Sequence, residues 1–286
     1  MTFINPKTDF AFKKIFGSKK SKEILISFLN AILYQEQETI QDLEILDPYQ
    51  SPRIQGIKDS YLDVKAVITG NKTVIIEMQV LNVLGFEKRV LYNAAKAFSI
   101  QLGVGEDYNL LNPVIALTIT DFEMFADSAK VISRYCLKEK EELTDYTDDI
   151  ELVFVELPKF NKTLEESESL TDKWLYFLKF ANTLKDVPPP MGTIPAIKQA
   201  FTIARQSKLT KRELEALEKR ELFIQDSYNA IRKAKLEGKK EGKEEGKEEG
   251  RQEKAMAIAK ELLDVLDIET ISQKTGLSIK EIQNLT

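Results

Sequence analysis

The chain has 286 residues, 43% of them hydrophobic, and a formal net charge of −5. That length supports one main core with appendages. Histidine is absent and Cys136 is the only cysteine, which excludes Ser-His-Asp and Cys-His catalysis, histidine-ligated zinc or iron, an intrachain disulfide and a cysteine metal cluster.

In chain order, residues 1–22 carry Lys7, Lys13, Lys14, Lys19, Lys20 and Lys22 against Asp9 alone. This is either a basic patch for phosphates or a solvated helix face. "DFAFKKIF" predicts a short helix stopped by Gly17. Residues 22–33 predict an amphipathic helix with Leu25, Phe28, Leu29 and Ile32 on its apolar face. Pro48 and Pro52 break residues 42–60 into a loop or an irregular edge strand. Strands are expected over 61–69 and 73–81, then a helix over 86–102 with Val90, Ala94, Phe98 and Leu102 inward. "VIALTIT" (114–120) reads as a central strand buried on both faces. Two further strands lie near 129–137 and 150–157. The order predicts an α/β fold, a mixed sheet with helices on both sides, over residues 1–160.

Pro158 ends the sheet region. Residues 161–236 form a helical extension, interrupted at Pro188-Pro189-Pro190. Trp174, Tyr176 and Phe177 there suggest a helical core ahead of base stacking. Residues 237–254 repeat glycine every fourth position among Lys and Glu. They read as a solvated linker, helical in part, because each glycine opposes helix by about 1 kcal/mol; a glycine stripe for helix packing is the alternative. Residues 255–286 have the cadence of a helix-turn-helix with Gly276 at the turn, suited to packing, homo-oligomerisation or DNA. No stretch reaches the roughly 18–20 apolar residues of a membrane span. "MTFINPKTDFAFKK" lacks the apolar core of a secretory signal. The expectation is a cytoplasmic protein with no membrane partner.

Asp63 lies in "YLDVKA", and Glu77 and Gln79 lie in "VIIEMQ". Residues two apart on a strand share a face. A two-residue loop at Gly70-Asn71 pairs Asp63 with Met78 and turns it away. A three-residue loop, Gly70-Asn71-Lys72, pairs Asp63 with Gln79 and Lys65 with Glu77 and gathers all four polar side chains. An odd loop or a bulge is therefore expected. Two carboxylates and an amide on one face suit a divalent cation and an activated water, the equipment of phosphodiester cleavage. A solvated strand residue is the alternative for either acid alone. Glu77 resists it, because it interrupts an otherwise apolar run and an unpaired buried carboxylate is costly.

The motifs "TDFAFKKIFG" (8–17), "YLDVKA" (61–66), "IIEMQ" (75–79), "KRVLYNAAKAFSIQLGVGEDYNLLNPVIALTI" (88–119), "ELPKF" (156–160), "KWLYFLKF" (173–180) and the Gly-Lys-Glu repeats together resemble the Rpn family of recombination-promoting nucleases and transposase-like proteins, within the PD-(D/E)XK superfamily. The resemblance implies a restriction-endonuclease-like fold with a helical C-terminal extension. It also implies a DNA partner and a site in which Asp63 and Glu77 hold Mg²⁺ or Mn²⁺ and act with Gln79. The superfamily usually has lysine where this chain has Gln79, which leaves the cation role to Lys13 or Lys65; both also fit as surface lysines. Asp9 is either a helix-start carboxylate or a further site acid. Arg89, Tyr92 and Lys96, at helical spacing, are candidates for DNA-backbone contacts or simply a solvated helix face.

Overall fold

A computed structural model describes residues 3–50 and 60–285. Residues 51–59, which hold Pro52 and part of the expected loop, lie outside the described residues. Contacts divide the chain into two compact units, residues 1–224 and 225–286.

The first unit opens with α1 (Asp9–Phe16) and α2 (Lys22–Leu33). The Thr8 side chain accepts a hydrogen bond from the Ala11 N–H and caps α1. Gly17 ends α1 without the left-handed conformation of many helix-end glycines, since its φ is −97°. It is needed for a close approach instead. An added Cβ would fall 2.9 Å from the Lys13 carbonyl oxygen and 3.4 Å from Val64 Cγ2. Every apolar residue expected on the inner face of α2 is buried.

Strands β1 (Leu43–Leu46), β4 (Val64–Ile68), β5 (Thr73–Gln79), β6 (Val114–Thr120), β7 (Ile132–Lys138) and β8 (Asp145–Glu156) form a six-stranded sheet among the described residues, in the order β1-β4-β5-β6-β8-β7. Strands β5, β6 and β8 run parallel; β1, β4 and β7 are antiparallel to their neighbours. The edge-strand reading of the Pro-containing region holds at β1. Tyr61, expected at the start of the long strand, belongs instead to a separate ladder, in which β2 (Tyr49–Gln50) pairs with β3 (Ser60–Tyr61). All seven residues of β6 are buried, as a strand between two helical layers requires.

Helix α3 (Phe86–Ser99) packs on one face of the sheet against Ile75, Val114 and Ala116. On the other face, α1, α2, α4 (Leu170–Phe180) and α6 (Pro195–Ala204) share the larger core, reached from the sheet by Val64, Ala66, Val74, Ile76 and Met78. The short α5 (Pro189–Gly192) sits between α4 and α6 in the chain. Trp174 and Phe177 are fully buried and meet edge to face at 5.7 Å, so these aromatics are core.

Helix α7 spans Lys211–Leu262 without a break. The charged repeat over 237–254 is thus helical throughout rather than a partly helical linker, and it is exposed along nearly all its length. In the second unit, α7 is followed by α8 (Ile268–Thr275) and α9 (Ile279–Gln283), which share a small core of Ala259, Ile271, Leu277 and Ile282. Gly276 takes φ +77° at the expected turn, and Ser278 with Glu281 forms a capping box on α9.

Candidate active site

The hairpin between β4 and β5 has the odd loop that the carboxylates require, displaced by one residue. Val64 pairs with Ile76 and Lys65 with Ile75. The Ile68 N–H donates to the Lys72 carbonyl at 2.9 Å, leaving Thr69-Gly70-Asn71 as the loop. Gly70 and Asn71 both take positive φ, +81° and +59°, which a glycine and an asparagine tolerate best. This register corrects the expected one: Lys65 lies opposite Ile75, not Glu77, and Asp63 is opposite the Ile76–Glu77 end of β5 rather than Gln79.

Asp63 departs from the ladder in a way alternation does not foresee. Its N–H donates to the Ile76 carbonyl at 3.1 Å, although Ile76 is already the partner of Val64. Two residues of one strand thus face one of its neighbour, the arrangement of a β-bulge, which re-aims a side chain. The Asp63 carboxylate accepts from the Met78 N–H at 2.7 Å and lies 3.3 Å from Lys13 Nζ on α1.

Glu77 comes from the α3 face of β5. Its Oε1 accepts from Arg89 at 2.5 Å, and its Oε2 accepts from Asn93 at 3.4 Å. Arg89 also donates to Gln79 Oε1 at 2.8 Å, while Gln79 Nε2 donates to the Leu81 carbonyl at 2.6 Å. Both ends of the Gln79 amide are therefore engaged, and its immediate role is to hold Arg89. The Arg89 Nε is buried with no hydrogen-bond partner. Such an orphan costs about 1–3 kcal/mol and makes this guanidinium the least settled group of the cluster.

Burial pushes the Asp63 carboxyl above the ordinary carboxylate value, opposed by the Met78 N–H and Lys13. Burial likewise raises Glu77; Arg89 pulls it down and the charge of Asp63 pushes it up again. Glu77 thus feels the charge of Asp63. The two acids stand at one end of the sheet, by the carboxyl end of β5, where ligands of open α/β sheets commonly bind.

The other expected residues divide. Asp9 lies in the first turn of α1, where the helix dipole favours it, and pairs with Arg220 at 2.7 Å. Its charge also reaches Asp63, which it raises. Lys65 is drawn below its ordinary value by burial, and the carboxylate acting on it is Asp47, so it takes no part in the cluster. Of the three α3 residues, Arg89 binds Glu77 and Gln79. Tyr92 is exposed. Lys96 is buried, with its ammonium 6.0 Å from the Tyr92 ring centroid, so it does not lie on a solvated face. Sequence reasoning missed Asn93. The signal was available: Asn93 follows Arg89 by four residues and so shares its helix face.

A mixed sheet whose adjacent strands bring two acids to the carboxyl end of a central strand, with helical layers on both faces, is the PD-(D/E)XK nuclease-like α/β architecture. The chain belongs to the PD-(D/E)XK nuclease family transposases, whose family pattern matches residues 6–234. No curated protein and no solved structure matches it.

Proposed function

We propose that this chain is a metal-dependent DNA endonuclease that hydrolyses phosphodiester bonds at the Asp63–Glu77 pair. The observation that carries the reading is that two largely buried acids, Asp63 just before β4 and Glu77 on β5, stand near enough for the charge of Asp63 to raise the proton affinity of Glu77. Among the described residues, no group of three or more acids, histidines or cysteines is arranged to hold a metal. Two carboxylates nevertheless fit Mg²⁺, which is commonly bound by one or two carboxylates together with substrate phosphate oxygens. Asp63 and Glu77 would hold the cation, Mg²⁺ or Mn²⁺; when bound, it supplies acidification of a water and charge neutralisation at the phosphate.

The chain's own residues supply the rest. The Met78 N–H fixes the Asp63 carboxylate, and Asn93 steadies Glu77. Lys13, reaching Asp63 from α1, brings the positive charge that the superfamily's motif lysine carries and Gln79 does not. Arg89, gripped by Gln79, would exchange a carboxylate for a phosphate oxygen.

Incubation of supercoiled plasmid with the full chain and Mg²⁺ or Mn²⁺ tests this reading. Nicked or linear product, suppressed by chelator and absent in Asp63→Ala and Glu77→Ala, is expected. Intact plasmid across both metal titrations defeats it. A second reading, a nucleic-acid-binding protein without cleavage, draws on one observation: both acids are already ion-paired to lysine or arginine. DNA binding that survives removal of both acids, with no cleavage by the wild type, favours it.

A further inference from the structure

Beside the acid cluster lies a cleft of about 230 Å³, whose walls include Lys7, Gln79, Val83, Arg89, Arg220 and Phe223. It is bounded by the end of β5, the segment before α1 and the first turns of α7, all within the first unit. Three cations face it against one carboxylate in its lining, Asp9. Asp9 holds Arg220, and Asp121 holds Lys7 at 2.8 Å. An anion entering here meets charge that is partly exposed and already oriented: the Arg220 side chain is 45% accessible.

Phe223 makes the cleft more than a phosphate patch. It is 57% exposed although large and apolar, and the Arg220 guanidinium sits 5.6 Å from its ring centroid. An aromatic face beside cations is the combination that binds nucleotides with unstacked bases. In an intact duplex the base faces are covered by their neighbours, so a ring can reach one only when the nucleotide is unpaired or extruded. The cleft volume falls below the roughly 300–1,000 Å³ of drug-sized pockets. It suits one nucleotide and excludes a helix.

We propose that this cleft seats an unpaired nucleotide next to the scissile bond, with Lys7 and Arg220 on its phosphate and Phe223 stacked on its base. The substrate class is then DNA with single-stranded character: a single strand, a flap or a frayed end. The assignment rests on the nuclease reading of the neighbouring acids.

Fluorescence anisotropy with labelled oligonucleotides tests it, using the full chain held inactive by chelator. A single strand and a flapped duplex bind about tenfold more tightly than a blunt duplex of the same length, the size of one stacked base. Phe223→Ala erases that preference and Phe223→Trp retains it. Arg220→Gln weakens all three substrates, by a factor that shrinks as salt is raised. Equal affinity for flapped and blunt duplex, or a preference that persists in Phe223→Ala, overturns the proposal. A chain that cleaves plasmid with Mg²⁺ yet shows no such preference overturns the cleft alone. A chain that cleaves nothing in either metal, while showing the Phe223-dependent preference, overturns the nuclease reading and leaves the binding cleft standing.

Discussion

Two glutamates end neighbouring parts of the same sheet with opposite outcomes. Gln79, Thr120 and Glu156 stand in one row across the parallel strands β5, β6 and β8, and Glu77 lies two residues before Gln79. Glu156 is wholly buried. It accepts from the backbone N–H groups of Met124 and Phe125 and pairs with Lys159 at 2.7 Å, itself only 8% accessible. Lys159 in turn donates to the Phe125 carbonyl. Both carboxylate oxygens are engaged within the chain, and the cluster pins the loop after β6 to the end of β8. Glu77 retains 16% accessibility, its arginine is 41% exposed, and a second acid stands near it. A closed ion pair holds the fold; an open one, short of compensation, has something left to bind.

The largest expected effect breaks the open site. Asp63→Ala or Glu77→Ala lowers the rate of plasmid cleavage by at least about 1,000-fold, since the metal's several kcal/mol of transition-state stabilisation convert at 1.4 kcal/mol per tenfold, while the fold persists by circular dichroism. The closed site behaves in the reverse way. Glu156→Ala leaves Lys159 buried without its partner and costs about 3–5 kcal/mol in denaturant unfolding.

Smaller changes sharpen the contrast. Arg89 holds the Glu77 carboxyl down, so Arg89→Ala moves the acidic limb of the pH–rate profile to higher pH. Lys13→Ala lowers cleavage by about 10–100-fold, the size of losing a supporting partner of a metal ligand. Lys65→Ala, whose charged neighbour is Asp47, changes the rate less than about twofold.

Stability against pH reports on the open site as well. Both site carboxyls have folded values above their unfolded ones, 3.8 for Asp63 and 4.5 for Glu77, so the folded state binds more protons. The stability they contribute is fully present below those values and is lost as pH rises through the folded ones. In metal-free buffer, Asp63→Asn and Glu77→Gln therefore lose less stability than wild type on going from acid to neutral pH. Thermal melting across that window measures it.

Much of this arrangement was legible in the sequence. "VIALTIT" announced its burial, the α2 face its packing, and Glu77 its oddity within an apolar strand. The register was not: Thr69 joins the loop, and the bulge at Asp63 depends on a backbone bond that no alternation rule encodes. Nor was the first half of β8 readable. Asp145, Asp148 and Asp149 are poor strand formers; the pairing of Asp145 and Thr147 with β7 carries the strand through them. The repeat within α7 is helical despite its glycines, each of which disfavours helix by about 1 kcal/mol. Its Lys and Glu residues and its continuity with flanking helix outweigh that local preference. Arg220 and Phe223 escaped notice because they reach the site from a helix more than a hundred residues away in the chain.

The most direct test is a manganese titration followed by electron paramagnetic resonance, with non-cleavable oligonucleotide present, on wild type, Glu77→Gln and Glu156→Gln. The open acid pair predicts loss of free-ion signal in wild type and in the folded fraction of Glu156→Gln, and none beyond background in Glu77→Gln. Equal manganese uptake by wild type and Glu77→Gln would contradict it.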